Sequence, residues 1–132
     1  MIVVDASALV DFLTPIRDDP ILDARIRTSI ELHTPHLADV EVAHALRRMV
    51  AHGTLSADRA ADARYDLARL PARRYAHTLF LERAWELRDS VSTYDAMYIA
   101  LAEALDAPLV TCDAALARAR GIRASVEVYA PA

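Results

Sequence analysis

The 132-residue chain is 55% hydrophobic and 26% charged, the balance of a folded globular protein and not of a disordered or fibrous one. All 15 basic residues are Arg, with no Lys, Asn or Gln, and the only glycines are Gly53 and Gly121; this excludes Schiff-base lysine chemistry, a Cys-His-Asn triad, the phosphate-loop lysine and a Gly-rich dinucleotide fingerprint. Cys112 is alone, so neither an internal disulfide nor a zinc cluster can form, and no apolar run approaches the roughly 18 to 20 residues of a membrane span or follows a basic leader. One domain over residues 1–132, in a reducing cytoplasm, is the expectation.

In chain order, Ile2 to Val4 is a β-branched run suited to a fully buried strand, and Asp5 closes it ahead of a helix over Ala6 to Leu13. Pro15, Asp18 and Asp19 mark a turn; Ile21, Leu22, Ile26 and Ile30 then recur at helical spacing, which predicts a helix ending near Leu32. His33 to Leu37, with Pro35 inside it, reads as a connector or short edge strand before a helix over Ala38 to His52 that Gly53 ends. Ser56 caps a helix running to Leu70, Pro71 stops it, and Ala72 to Ala76 forms a short strand.

Helical periodicity returns over Leu79 to Arg88 and over Thr93 to Leu105. Leu109 to Cys112 is a second buried strand, closed by Asp113. Ala114 to Arg120 reads as helical and Ser125 to Tyr129 as a last strand. Strands separated by helices need crossovers, which predicts a three-layer α/β/α sandwich around a mainly parallel sheet.

Ligands of open parallel sheets bind beyond the carboxyl ends of the strands, where Asp5 and Asp113 fall. Glu41 and Asp95 each fall in the first turn of a core-facing helix. Singly, all four read as helix caps or dipole partners, and Ser92 with Asp95 fits a capping box. Gathered in one cleft they would repel: at an effective dielectric of about 20, each like-charged pair near 4 Å costs roughly 4 kcal/mol. An all-oxygen cluster of that kind calls for a hard divalent ion, Mg²⁺ or Mn²⁺, and for phosphoester hydrolysis. Ser7 and Thr111 are placed to hydrogen-bond the carboxylates or water at the ion.

Four segments carry a family resemblance. Ile2-Val3-Val4-Asp5-Ala6-Ser7-Ala8-Leu9-Val10, Glu41-Val42-Ala43-His44-Ala45-Leu46-Arg47-Arg48, Thr93-Tyr94-Asp95-Ala96-Met97-Tyr98-Ile99-Ala100-Leu101-Ala102-Glu103 and Leu109-Val110-Thr111-Cys112-Asp113 resemble, in order and spacing, the acidic motifs of PIN-domain proteins, specifically the VapC toxins of type II toxin-antitoxin pairs. The resemblance implies a single-strand-selective endoribonuclease in which Asp5, Glu41, Asp95 and Asp113 bind Mg²⁺ or Mn²⁺, assisted by Ser7 or Thr111. It also implies a homodimer and a cognate VapB-like antitoxin covering the acidic groove.

The net charge of −4 equals those four carboxylates, so the remaining body is neutral and RNA must be held locally. Arg48 lies about two turns after Glu41 on the same helix face, which makes Arg47 or Arg48 the expected phosphate contact; Arg73 and Arg74 are weaker ones. Tyr94 and Tyr98 flank Asp95 as base-stacking or core residues, and the histidines receive no role. The competing readings are a metal-dependent phosphatase or DNA nuclease and a non-catalytic acidic binding module. The absence of an Asp-x-Asp motif after the first strand disfavours aspartyl-phosphate chemistry.

Overall fold

The computed structural model describes residues 1–131. Five strands form one wholly parallel sheet: β1 (Ile2–Val4), β2 (Leu32–Pro35), β3 (Ala72–Tyr75), β4 (Leu109–Thr111) and β5 (Val126–Val128), in the order β3-β2-β1-β4-β5. The helices are α1 (Ala6–Leu13), α2 (Pro20–Arg27), α3 (Leu37–Ala51), α4 (Ala57–Arg69), α5 (Leu81–Glu86) and α6 (Thr93–Leu105). The chain steps outward from β1 through β2 to β3, then returns across the sheet to β4. Because parallel crossovers are right-handed, this reversal sends α5 and α6 to the face opposite α1 to α4, giving the α/β/α sandwich. α1, α3 and α4 pack on one another, while α6 lies against β1, β2 and β4 with α5 beside it.

Ile2, Val3, Val4, Leu109 and Val110 are fully buried, as strands covered on both faces require. In α6, every residue from Ala96 to Ala102 is buried, so its apolar run has no polar face to show. Among the described residues no helix is long and apolar enough to cross a membrane.

Five expectations about the elements need correction. The second helix stops at Arg27, not Leu32, because the Thr28 and Ser29 hydroxyls turn back to the Ala24 and Arg25 carbonyls; Ile30, at the next position of the helical stripe, is 96% exposed. Leu32–Pro35 is neither connector nor edge strand but lies between β1 and β3, and Pro35 is tolerated because it is the last residue of the strand. Leu79 to Arg88 is split between a 3-10 turn at His77–Phe80 and α5, and Ala114 to Arg120 is a 3-10 turn at Ala114–Arg118. Glu41 sits in the second turn of α3, since that helix begins at Leu37.

Candidate active site

β1 and β4 are neighbours in register, with Val3 opposite Leu109 and Val4 opposite Val110, and the Asp5 N–H donates to the Val110 carbonyl at 3.1 Å. Strand order reverses between them, and such a reversal opens a crevice at the carboxyl ends. Asp5 and Asp113 leave the sheet there.

Asp5 is both the N-cap of α1 and the centre of a hydroxyl network. Its Oδ1 accepts from the Ala8 N–H at 3.0 Å and from Ser7 Oγ at 2.7 Å, and its Oδ2 accepts from Thr111 Oγ1 at 2.5 Å. Ser7 Oγ in turn accepts from the Cys112 N–H at 2.9 Å, and Thr111 Oγ1 from the Asp113 N–H at 3.0 Å. The exits of β1 and β4 are therefore sewn together across more than 100 residues of sequence, with Ser7 and Thr111 on the Asp5 carboxylate. Despite these bonds, Asp5 is pushed up to about 6, chiefly by burial and further by the Asp95 carboxylate.

Asp95 opens α6, its N–H held by the capping oxygen of Ser92 at 3.1 Å. Its carboxyl is also raised above the ordinary range, first by partial burial and then by the charge of Asp113. Asp113 is exposed and accepts from the Ala115 N–H at 2.9 Å. Glu41 joins through Tyr98, whose hydroxyl donates to Oε1 at 2.6 Å. Burial, then Glu41 itself, drives the Tyr98 phenol well above its ordinary value and keeps it a donor.

Asp5 thus feels the charge of Asp95, and Asp95 that of Asp113, while Glu41 is tied to the crevice through Tyr98. They do not stand as a closed cage: among the described residues no three His, Cys, Asp or Glu side chains are gathered as a ready-made metal site. The donor chemistry nonetheless fits a hard divalent cation, since all donors are oxygens and two carboxyls carry raised affinities for a proton that a cation would relieve.

A family model for the PIN domain matches residues 2–122. The chain belongs to the PIN-domain family. Ribonuclease VapC1 of Mycobacterium tuberculosis is 43% identical over 128 residues, 96% of each chain, and Ribonuclease VapC12 of the same species is 36% identical over 130 residues, 98% of this chain and all of that one. Among solved structures, PAE2754 from Pyrobaculum aerophilum superposes with a TM-score of 0.70 at 25% identity, covering 96% of this chain and 82% of that one. VapC20 of Mycobacterium tuberculosis, described as a Sarcin-Ricin loop cleaving toxin, gives 0.69 at 18% identity over 92% and 96%.

Around the acidic crevice of this PIN domain the arginines divide. Arg47 and Arg48 are both exposed on α3, but only Arg48 lines a groove with Glu41, His44 and Tyr94. Arg74 is consumed internally, bridging Asp39 at 2.7 and 3.0 Å and the Leu67 carbonyl at 3.0 Å, and Arg73 lies over the Tyr75 ring. The tyrosines divide as well, with Tyr94 exposed and Tyr98 in the core. A large cavity lies at the other end of the strands, lined by Arg83, Glu103 and Arg123, whose charges are already paired with one another.

Sequence reasoning missed two contacts. The Tyr98 bond to Glu41 had one faint signal, the i, i+3 spacing from Asp95 that puts both on one helix face. Arg17 had none: its Nε donates to Asp11 at 2.7 Å, and its Nη2 reaches Cys112 Sγ at 3.2 Å and the Tyr129 carbonyl. It pins the α1–α2 turn to the exit of β4. The neighbouring Cys112 thiol, pushed up to about 12 by burial and by Asp11, remains protonated and is no nucleophile.

Proposed function

We propose that the chain is a metal-dependent endoribonuclease toxin, a single PIN-type nuclease domain in which Asp5, Glu41, Asp95 and Asp113 hold Mg²⁺ or Mn²⁺. The observation that carries this reading is the buried Asp5 at the β1/β4 reversal, whose ionised form burial and the charge of Asp95 disfavour. A relative named a ribonuclease, 43% identical along nearly the whole chain, supports RNA as the substrate. When bound, the ion supplies Lewis acidity toward a phosphoryl oxygen and acidifies water at the site.

The chain's own contributions follow from its contacts. Ser7 and Thr111 orient Asp5 so that its charge faces the crevice at a fixed angle. Asp113 and Asp95, at the mouth, extend the negative field outward. Arg48, on the groove shared with Glu41, is the cation placed to meet an RNA phosphate, and exposed Tyr94 offers a ring to a base. A cognate VapB-like antitoxin, homodimer formation and a cytoplasmic setting complete the proposal; an antitoxin arginine entering the crevice would compete with the ion for the same carboxylates.

The test is incubation of purified protein with a mixed RNA pool and Mg²⁺, beside Asp5→Ala and an EDTA control. Cleavage by the wild type with Mg²⁺ alone is expected, and mapping the ends identifies the target. One observation favours a rival reading, in which the acids serve only as caps: no ready-made three-ligand cluster stands among the described residues. Intact RNA together with no thermal stabilisation by millimolar Mn²⁺ would select that rival.

A further inference from the structure

Glu41 carries three rotatable side-chain bonds, and a carboxylate on such a stem loses rotamer freedom when it is held in one place. Among the described residues its hydrogen bond comes from Tyr98 alone, and it takes part in no ion pair. Tyr98 is 2% exposed, on a helix whose neighbours from Ala96 to Ala102 are all buried, so its ring cannot swing and its hydroxyl emerges at a fixed point of the crevice wall. The 2.6 Å separation is that of a charge-assisted O–H to carboxylate bond. Asp5 has Ser7 and Thr111 to orient it; Glu41 has this phenol.

We propose that Tyr98 is a positioning residue of the acidic site: its hydroxyl holds Glu41 Oε1 against the core and thereby presents Oε2 to a divalent cation. This rests on the reading of the four carboxylates as a metal site. It assigns to the buried Tyr98 an effect on metal affinity exerted through Glu41, with no contact to substrate or ion.

Tyr98→Phe deletes one oxygen and keeps the ring. Mn²⁺ affinity, measured by calorimetry on the full chain, is expected to fall about 10-fold or more, the usual effect of removing a group that orients a metal ligand. Activity at saturating Mn²⁺ recovers much of the loss. In a Glu41→Gln background the same change is expected to leave Mn²⁺ affinity unaltered, a non-additivity that a merely structural tyrosine would not produce. In the unsubstituted protein, the Tyr98 hydroxyl proton resonance should shift during a Mg²⁺ titration in step with binding, which needs no variant to fold. Wild-type affinity in folded Tyr98→Phe, additive losses in the double variant, or an unmoved hydroxyl resonance would each overturn the proposal while leaving the metal site standing. Failure of the wild type to bind Mn²⁺ at all would overturn both.

Discussion

Asp5→Asn should make the protein more stable while destroying the proposed site. Burial raises the Asp5 carboxyl from 3.8 to about 6, so in the native state the proton is bound more tightly than in the unfolded chain. An acid shifted this way stabilises the fold fully below its unfolded value near 3.8, and that contribution is lost as pH rises through about 6. Two pKa units correspond to roughly 3 kcal/mol, the ceiling for what the ionised Asp5 costs at pH 7.5. Asparagine removes the charge yet keeps the geometry: its carbonyl oxygen can accept from Ala8 and Ser7, and its amide can donate to Thr111 once that hydroxyl turns.

Allowing for that rearrangement, a net gain of about 1–2 kcal/mol is expected, or about 3–8 °C in Tm for a domain of this size. The assay is urea and thermal unfolding of both proteins in EDTA between pH 4 and 8. The two curves should converge toward pH 4, part between about pH 4 and 6, and keep a constant gap above that. Millimolar Mn²⁺ should then raise the Tm of the wild type and leave Asp5→Asn unmoved. A wild type as stable as the variant at pH 7.5, or a gap independent of pH, would refute the argument that burial of this carboxylate is held against the fold's own preference.

Glu103 works in the opposite sense. Burial acts to raise its carboxyl, but the Arg83 guanidinium and the Arg123 N–H outweigh it and hold it below the ordinary range. Its contribution is present above the unfolded carboxylate value and fades as pH falls through the lowered one; Glu103→Ala should cost about 2–3 kcal/mol by urea unfolding at pH 7 and less at pH 3. Arg48→Ala should raise KM for RNA several-fold and flatten the salt dependence by about 0.7 per lost phosphate contact, with Mn²⁺ affinity unchanged, whereas Arg47→Ala does less. Asp106 ends α6 in the left-handed region with φ of 50°, and Asp106→Gly should stabilise by about 0.5–1 kcal/mol in thermal unfolding.

Where the sequence was legible, one local signal dominated. β1 and α1 meet at Asp5, a β-branched run followed by a cap, and α6 begins where Ser92 caps and ends where its apolar run stops. The central position of β2 was illegible because its burial is tertiary. His33 and Thr34 are polar, and they tolerate the interior because Tyr75 and the Val4 carbonyl, from the flanking strands, satisfy them together with Glu31. Periodicity cannot register a partner 30 or 42 residues away. The Arg17 hub and the Glu41–Tyr98 bond are hidden for the same reason, whereas the pairing of Asp5 with Ser7 lies within three residues and could be read directly.

Capping and chemistry, alternatives on the sequence alone, are superimposed in the structure. Asp19 caps α2 through the Ile21 and Leu22 N–H groups at 3.1 and 3.0 Å, and Asp113 caps its turn through Ala115, both with access to water. A cap therefore needs no burial to do its work. Asp5 makes the same kind of bond to Ala8 but lies 95% covered, within reach of the charge of another carboxylate, and its ionised form is destabilised as a result. A serine would cap α1 about as well at none of that electrostatic cost. The excess burial, which capping does not require, is what a cation in the crevice would turn from a penalty into binding energy.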